Sequence, residues 1–276
     1  MEKVEIISKE IEKVSIVLTN FGFSYNEVNK MLRNKDIRVD DQKISADQTV
    51  YEGQKVTAFC KELPRQRFKI VFEDENVLVV DKLSGIEVEG EAGLEEKIPG
   101  AIAVHRLDRN TEGLLVMAKN KNSEELLLKA IKNQKFEKTY LAEVVGKADF
   151  REKKYTAFLV KDSKNAQVKI FDKFVQGAVK IETVFKTVKV GTETSVVQAR
   201  LITGKTHQIR AHLAFLGHAI VGDGKYGKNS DNKKFKEKSQ KLHCYSLKLN
   251  GLTGDLDYLN GKVFISKPEW TKGLVI

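Results

Sequence analysis

The chain has 276 residues, 41% of them hydrophobic, with a formal net charge of +10 and a pI of about 9.3. That length and apolar content suit one large domain or two smaller ones and exclude wholesale disorder, and there is no run of about 18 apolar residues to span a membrane. Cys60 and Cys244 are too few and too far apart for a disulfide framework, and Met1-Glu2-Lys3-Val4-Glu5 does not open a secretory signal, so a reducing, cytoplasmic setting and a polyanionic partner are expected.

In chain order, residues 1–12 read as a charged leader. Val14, Ile16, Val17 and Leu18 predict a short helix ended near Gly22. Ser24-Tyr25-Asn26-Glu27 has the form of a capping box, and Val28, Met31 and Leu32 give the helix after it one apolar stripe. Ile37 to Ile44 reads as strand, tight turn and strand, and Val56–Phe59 closes a small unit over 13–61. Residues 62–68 are charged, contain Pro64 and read as a linker.

From 69 to 276 the pattern is that of a second, larger domain. Strands are expected at Lys69–Phe72, Val77–Val80, Leu114–Ala118, Lys138–Val145, Tyr155–Val160, Val179–Val190 and Ser195–Leu201. Asn122-Ser123-Glu124-Glu125 is expected to cap a helix running to about Gln134, and Thr206–Leu216 a helix ended by Gly217. Strands without regular βαβ alternation predict an α+β fold with a mixed, largely antiparallel sheet.

Two dense segments carry the chemistry. His105-Arg106-Leu107-Asp108-Arg109 sets one carboxylate among arginines at the entry to the apolar run Leu114-Leu115-Val116-Met117, with Thr111 and Gly113 suggesting a close backbone approach. Read as a strand, it would put Arg106 and Asp108 on one face. Thr203-Gly204-Lys205-Thr206-His207-Gln208-Ile209-Arg210-Ala211-His212 supplies cations that could keep such a carboxylate charged. Gly222-Asp223-Gly224-Lys225-Tyr226-Gly227 fits a dinucleotide fingerprint but lacks the strand before it and the apolar helix after it. The spacing of His207, His212, His218 and His243 matches no usual metal pattern, so no metal is expected. Lys225 to Lys241 holds seven lysines against Asp231 and Glu237, either a solvated loop or an arm that contacts phosphates.

The string His105-Arg106-Leu107-Asp108-x-x-Thr111-x-Gly113-Leu114-Leu115 resembles the catalytic motif of the RluA-type pseudouridine synthases. Lys138-Thr139-Tyr140, Thr203 to Leu213, Leu216 to Gly227 and Leu242 to Leu247 resemble the later motifs of that family, in family order. The resemblance implies isomerisation of uridine in RNA, most simply large-subunit ribosomal RNA, to pseudouridine, with no cofactor and with the enzyme as a monomer. It implies Asp108 as the essential carboxylate, attacking C1′ or the uracil ring or helping remove the C2′ proton. Arg210 would pair with it, Tyr140 would pack on the base with a possible part in proton transfer, and Arg106 would enter the stack as the uridine flips out. Lys205 and His207 would contact RNA beside the site. Residues 13–61 resemble the small RNA-binding domain of ribosomal small-subunit protein S-four, in which Lys30, Arg33, Lys35 and Arg38 would face RNA. The alternative is a non-catalytic RNA-binding assembly factor on the same fold.

Overall fold

The computed structural model describes residues 1–23, 25–63, 67–90 and 93–274. Ser24 of the expected capping box and residues 64–66 of the expected linker lie outside these. The chain forms two compact units, one of residues 1–67 and 85–99, the other of 68–84 and 100–276. Residues 85–99 therefore group with the N-terminal unit and not, as the sequence suggested, with the C-terminal one. They bury Ile86, Val88 and Leu94, and Lys97 donates from Nζ to the carbonyl of Thr19.

In the first unit residues 2–7, expected to belong to a charged segment without structure, form a strand. Glu2–Ile7 is strand β1, paired antiparallel with β6 (Lys55–Cys60) from Glu2 opposite Cys60 to Ile7 opposite Lys55. Its charges had hidden a two-residue period in which Val4 and Ile6 face the core. A four-stranded sheet runs β1, β6, β3 (Ile37–Val39), β4 (Gln42–Ile44), and a smaller pair joins β2 (Glu12–Lys13) to β5 (Thr49–Val50). The turn between β3 and β4 places Asp40 and Asp41 at φ 46° and 68°, the two positive values that a two-residue hairpin with strand-matching twist requires. Helix α1 (Val14–Phe21) is rich in β-branched residues and draws its stability from burial of Val14, Val17 and Leu18. Its end is capped by Gly22, whose N–H reaches the carbonyls of Leu18 and Thr19. Helix α2 (Tyr25–Asn34) buries Val28, Met31 and Leu32, the expected stripe. A single turn, α3 (Leu94–Lys97), completes the unit.

The second unit is built on one eleven-stranded sheet. Its chain order is β7 (Phe68–Glu73), β8 (Val77–Lys82), β9 (Ile102–Ala103), β10 (Glu112–Ala118), helix α4 (Lys121–Lys132), β11 (Glu137–Val145), β12 (Lys153–Asp162), β13 (Gln167–Phe171), β14 (Val179–Val190) and β15 (Thr194–Leu201). Helix α5 (Gln208–Phe215), helix α6 (Asn229–Phe235), β16 (Leu242–Lys248) and β17 (Val263–Ile265) follow. The spatial order is β13, β12, β14, β15, β11, β16, β10, β8, β7, with β9 beside β10 and β17 beside β16. Pairing is antiparallel except between β10 and β16, so the sheet is mixed and largely antiparallel, as expected. Leu114, Leu115, Val116 and Met117 are all fully buried because β10 is covered on both faces, one of them by α4. The cap of α4 is Asn120, two residues before the expected position: its Oδ1 accepts from the N–H of Ser123 at 2.9 Å. The lysine-rich stretch after Lys225 is not wholly loop, since α6 occupies its middle.

Candidate active site

Four stretches of the second unit, with Leu242, meet at a cavity of about 530 Å³: residues 105–111, residues 131–136 at the end of α4, one face of β11, and residues 201–210 at the start of α5. That volume lies in the range of small-molecule sites.

Asp108 stands in the irregular segment that enters β10, so Arg106 and Asp108 do not share a strand face as the alternation argument predicted. Hydrogen bonds fix this segment. The N–H of Thr111 closes a turn onto the carbonyl of Asp108 at 2.9 Å. Lys82, fully buried, donates to the carbonyls of Arg109 at 2.9 Å and Leu83 at 3.1 Å. Gln240 donates to the Thr111 hydroxyl at 2.7 Å, and the N–H of Val116 donates to His105 Nε2 at 3.2 Å. Gly113 marks the close approach expected there. Its φ is 103°, and a Cβ would stand 2.4 Å from the carbonyl oxygen of Cys244 on β16.

Arg210 lies in the first turn of α5, where a cation meets the positive end of the helix dipole. Two carboxylates offset this. Arg210 Nη1 donates to Asp108 Oδ2 at 2.7 Å, while Nε and Nη2 grip Asp223 at 2.7 and 3.0 Å. Asp223 has no exposed surface and accepts also from the N–H groups of Lys225 at 2.8 Å and Tyr226 at 3.1 Å. Burial by itself would raise the Asp223 carboxyl and lower the Arg210 guanidinium. Their bidentate pairing outweighs it, holding Asp223 below and Arg210 above its ordinary value.

His207 caps α5 in the left-handed region, at φ 54°, with Nε2 3.9 Å from Asp108 Oδ2. Its Nδ1 shares a hydrogen bond of 2.8 Å with the Tyr226 hydroxyl. Burial lowers the ring's pKa; Asp108 opposes the shift, and Arg210 and Lys225 reinforce it. Tyr140 is 6% exposed on β11, its phenol driven well above the usual value by burial and then by Cys244. It therefore stays protonated at neutral pH. A bulge sits here: Thr139 faces Ser246 and Tyr140 faces Cys244, so Tyr245 is skipped. Such a bulge re-aims the side chain at its position.

The structure thus brings Asp108, Tyr140, Arg210, Arg106, Lys205 and His207 to one cavity. Lys30, Arg33, Lys35 and Arg38 belong to the first unit and line no part of it. Lys30 and Arg33 are exposed on α2, Lys35 follows it at φ 59°, and the Arg38 guanidinium lies 5.1 Å from the Phe59 ring centre. Sequence reasoning left Asp223, Tyr226, Lys138 and His105 out of the site. Asp223 carried a signal, an acid in a glycine turn after a cation-rich helix, and Lys138 another, two residues before Tyr140 on a strand. Among the described residues no group of three or more His, Cys, Asp or Glu side chains is placed to hold a metal ion, and no helix is long and apolar enough to cross a membrane.

Residues 76–215 match the family model described as RNA pseudouridylate synthase. The chain belongs to that family. The synthase is 30% identical over 228 residues to the ribosomal large subunit pseudouridine synthase C of Vibrio cholerae, covering 72% of this chain and 71% of that one. It is 36% identical over 193 residues to the dual-specificity RNA pseudouridine synthase RluA of Vibrio parahaemolyticus, covering 64% of this chain and 76% of the relative. Among solved structures, human RNA pseudouridylate synthase domain containing 1 superposes with a TM-score of 0.59 at 25% identity, covering 68% of this chain and 84% of that one. The synthase isomerises uridine in RNA to pseudouridine.

Proposed function

We propose that Asp108 is the group on which the isomerisation turns, and that Arg210, Tyr140 and Arg106 serve it. The observation that carries this reading is the 2.7 Å contact between Arg210 Nη1 and Asp108 Oδ2 at the wall of a nucleoside-sized cavity. Pseudouridine forms when the N1–C1′ bond breaks, the base turns, and C5 bonds to C1′ with loss of its proton and protonation of N1. Asp108 reaches this chemistry by attack on C1′, by attack on the ring, or by taking the C2′ proton. Each route needs an anionic oxygen, and Arg210 supplies the counter-charge. Because Asp223 occupies the other edge of the guanidinium, Arg210 presents one N–H to Asp108 in a single orientation. Tyr140, a neutral phenol, offers a flat surface to the base. Arg106, exposed at the rim, suits the space a flipped uridine vacates.

The substrate we favour is a structured segment of large-subunit ribosomal RNA, a reading supported by the name of the Vibrio cholerae relative. Lys205 at the rim, Lys30, Arg33, Lys35 and Arg38 of the first unit, and the lysines after Lys225 would contact phosphates. The chemistry moves no electrons out of the nucleoside and calls for no cofactor. A non-catalytic assembly factor is disfavoured because such a protein has no need to keep an acid, an arginine and a tyrosine together in a cavity.

Replacing Asp108 by Ala is expected to lower pseudouridine formation at least about 10⁴-fold while RNA affinity stays within about threefold. Tritium release from 5-tritiated uridine in ribosomal and transfer RNA fractions, with filter binding alongside, measures both. Parent-level release by the variant would remove Asp108 from the mechanism, and release from transfer RNA alone would redirect the substrate.

A further inference from the structure

Two hydrogen-bond donors at the cavity have no acceptor. The first is His105. Its Nε2 accepts the N–H of Val116, and burial holds the ring well below its usual pKa, so the ring is neutral and its proton sits on Nδ1. That Nδ1 is buried and finds no partner among the described residues. The second is Lys138, which precedes Tyr140 by two residues on β11 and so shares its cavity face. Its ammonium makes no hydrogen bond and no ion pair among the described residues. Burial lowers its pKa, and it is near enough to His105 to depress that ring further. A cation without a counter-charge at a cavity wall is poorly compensated until a bound molecule supplies an acceptor.

We propose that Lys138, on the cavity wall beside the buried His105 ring, binds a carbonyl oxygen of the flipped uracil and stabilises the negative charge that the ring takes on when the N1–C1′ bond breaks. The inference rests on the reading of this cavity as the uridine site. When that bond breaks, its electron pair leaves with N1 and spreads onto O2 and O4. Both oxygens only accept hydrogen bonds, so a cation set against one of them binds more strongly as the charge grows. Neither residue gives up its proton; N1 is protonated after C5 has bonded to C1′. An RNA phosphate is the other acceptor such donors could take. Its charge is the same before and during the reaction, so it would affect affinity and not rate.

Lys138→Met tests this in the full-length protein on an RNA stem-loop that the parent modifies. The single-turnover rate should fall about 100-fold with the dissociation constant within about twofold, and Lys138→Arg should recover part of the loss. The diagnostic readout is the same RNA carrying 5-fluorouridine at the target, followed only to cleavage of the N1–C1′ bond, because fluorine cannot leave C5 as the proton does. Fluorine withdraws electrons and makes the departing ring a more stable anion, so the gap between parent and Lys138→Met should shrink at least about fivefold. An equal deficit on both substrates means a merely structural role and overturns the proposal. So does a weakened, more salt-sensitive affinity at unchanged rate, which marks a phosphate contact, and so does an unchanged variant. If Asp108→Ala matched the parent, the reading of the site itself would fall, whatever Lys138→Met does.

Discussion

His212 lies one turn from the N-terminus of α5 and is 1% exposed, edge-on to Phe185 and 3.4 Å from the Thr183 hydroxyl. Burial brings its pKa down to about 4. Between that value and about 6.5, its unfolded value, the unfolded chain binds a proton that the folded chain refuses, so stability rises with pH across this window and is lost as pH falls. From pH 7 to pH 5 about 1.5 pKa units are engaged, or roughly 2 kcal/mol. Urea unfolding of the parent and of His212→Phe should therefore give curves whose pH dependence differs by about that amount, the variant's being flatter; parallel curves would contradict the assignment. The histidines were visible in the sequence, but their roles were not. His207, His212 and His105 have the same unperturbed chemistry and differ in what buries them, which is set by chain far away. Asp108 and Arg210 were legible because an acid among cations beside an apolar run is unusual at any burial. Asp223 was less so, since an acid in a glycine turn reads equally well as surface.

At the scale of elements, β10 and β16 approach closely beside the site. Gly113 occupies a backbone conformation that L side chains rarely adopt, and its missing Cβ leaves room for the Cys244 backbone. Gly113→Ala is expected to cost at least about 2 kcal/mol and to slow the reaction, because β10 must move away from β16 and takes the Asp108 segment with it. Thermal unfolding together with tritium release checks this; a variant as stable and as active as the parent would show the contact to be slack. The long strands β14 and β15 were readable because β-branched residues and two-residue alternation persist along them. β1 was not, with only Val4 and Ile6 facing inward between charges. The segment 104–111 misled in the other direction: it abuts a buried strand and was read as part of it, whereas its backbone is held by Lys82, Gln240 and its own turn.

For the whole molecule, the net charge of +10 bears on RNA affinity more than on the fold. With about four phosphates neutralised, affinity should fall roughly 100-fold between about 50 and 200 mM monovalent salt, by filter binding. A flat response would mean that recognition is confined to the cavity. Fold class could be read from the run of strands, but strand order could not. Local pattern says that a strand exists and not which neighbour it takes, and the contact between Arg210 and Asp108 spans 102 positions. The place of β16 in that order has a bearing on when the enzyme comes into being. It lies between β10, which carries the Asp108 segment, and β11, which carries Tyr140 and Lys138. As the ribosome makes the chain from its N-terminus, acid, tyrosine and arginine have all emerged before the strand that spaces them. The site therefore cannot take its final spacing until Leu242–Lys248 has been made and has paired with both strands.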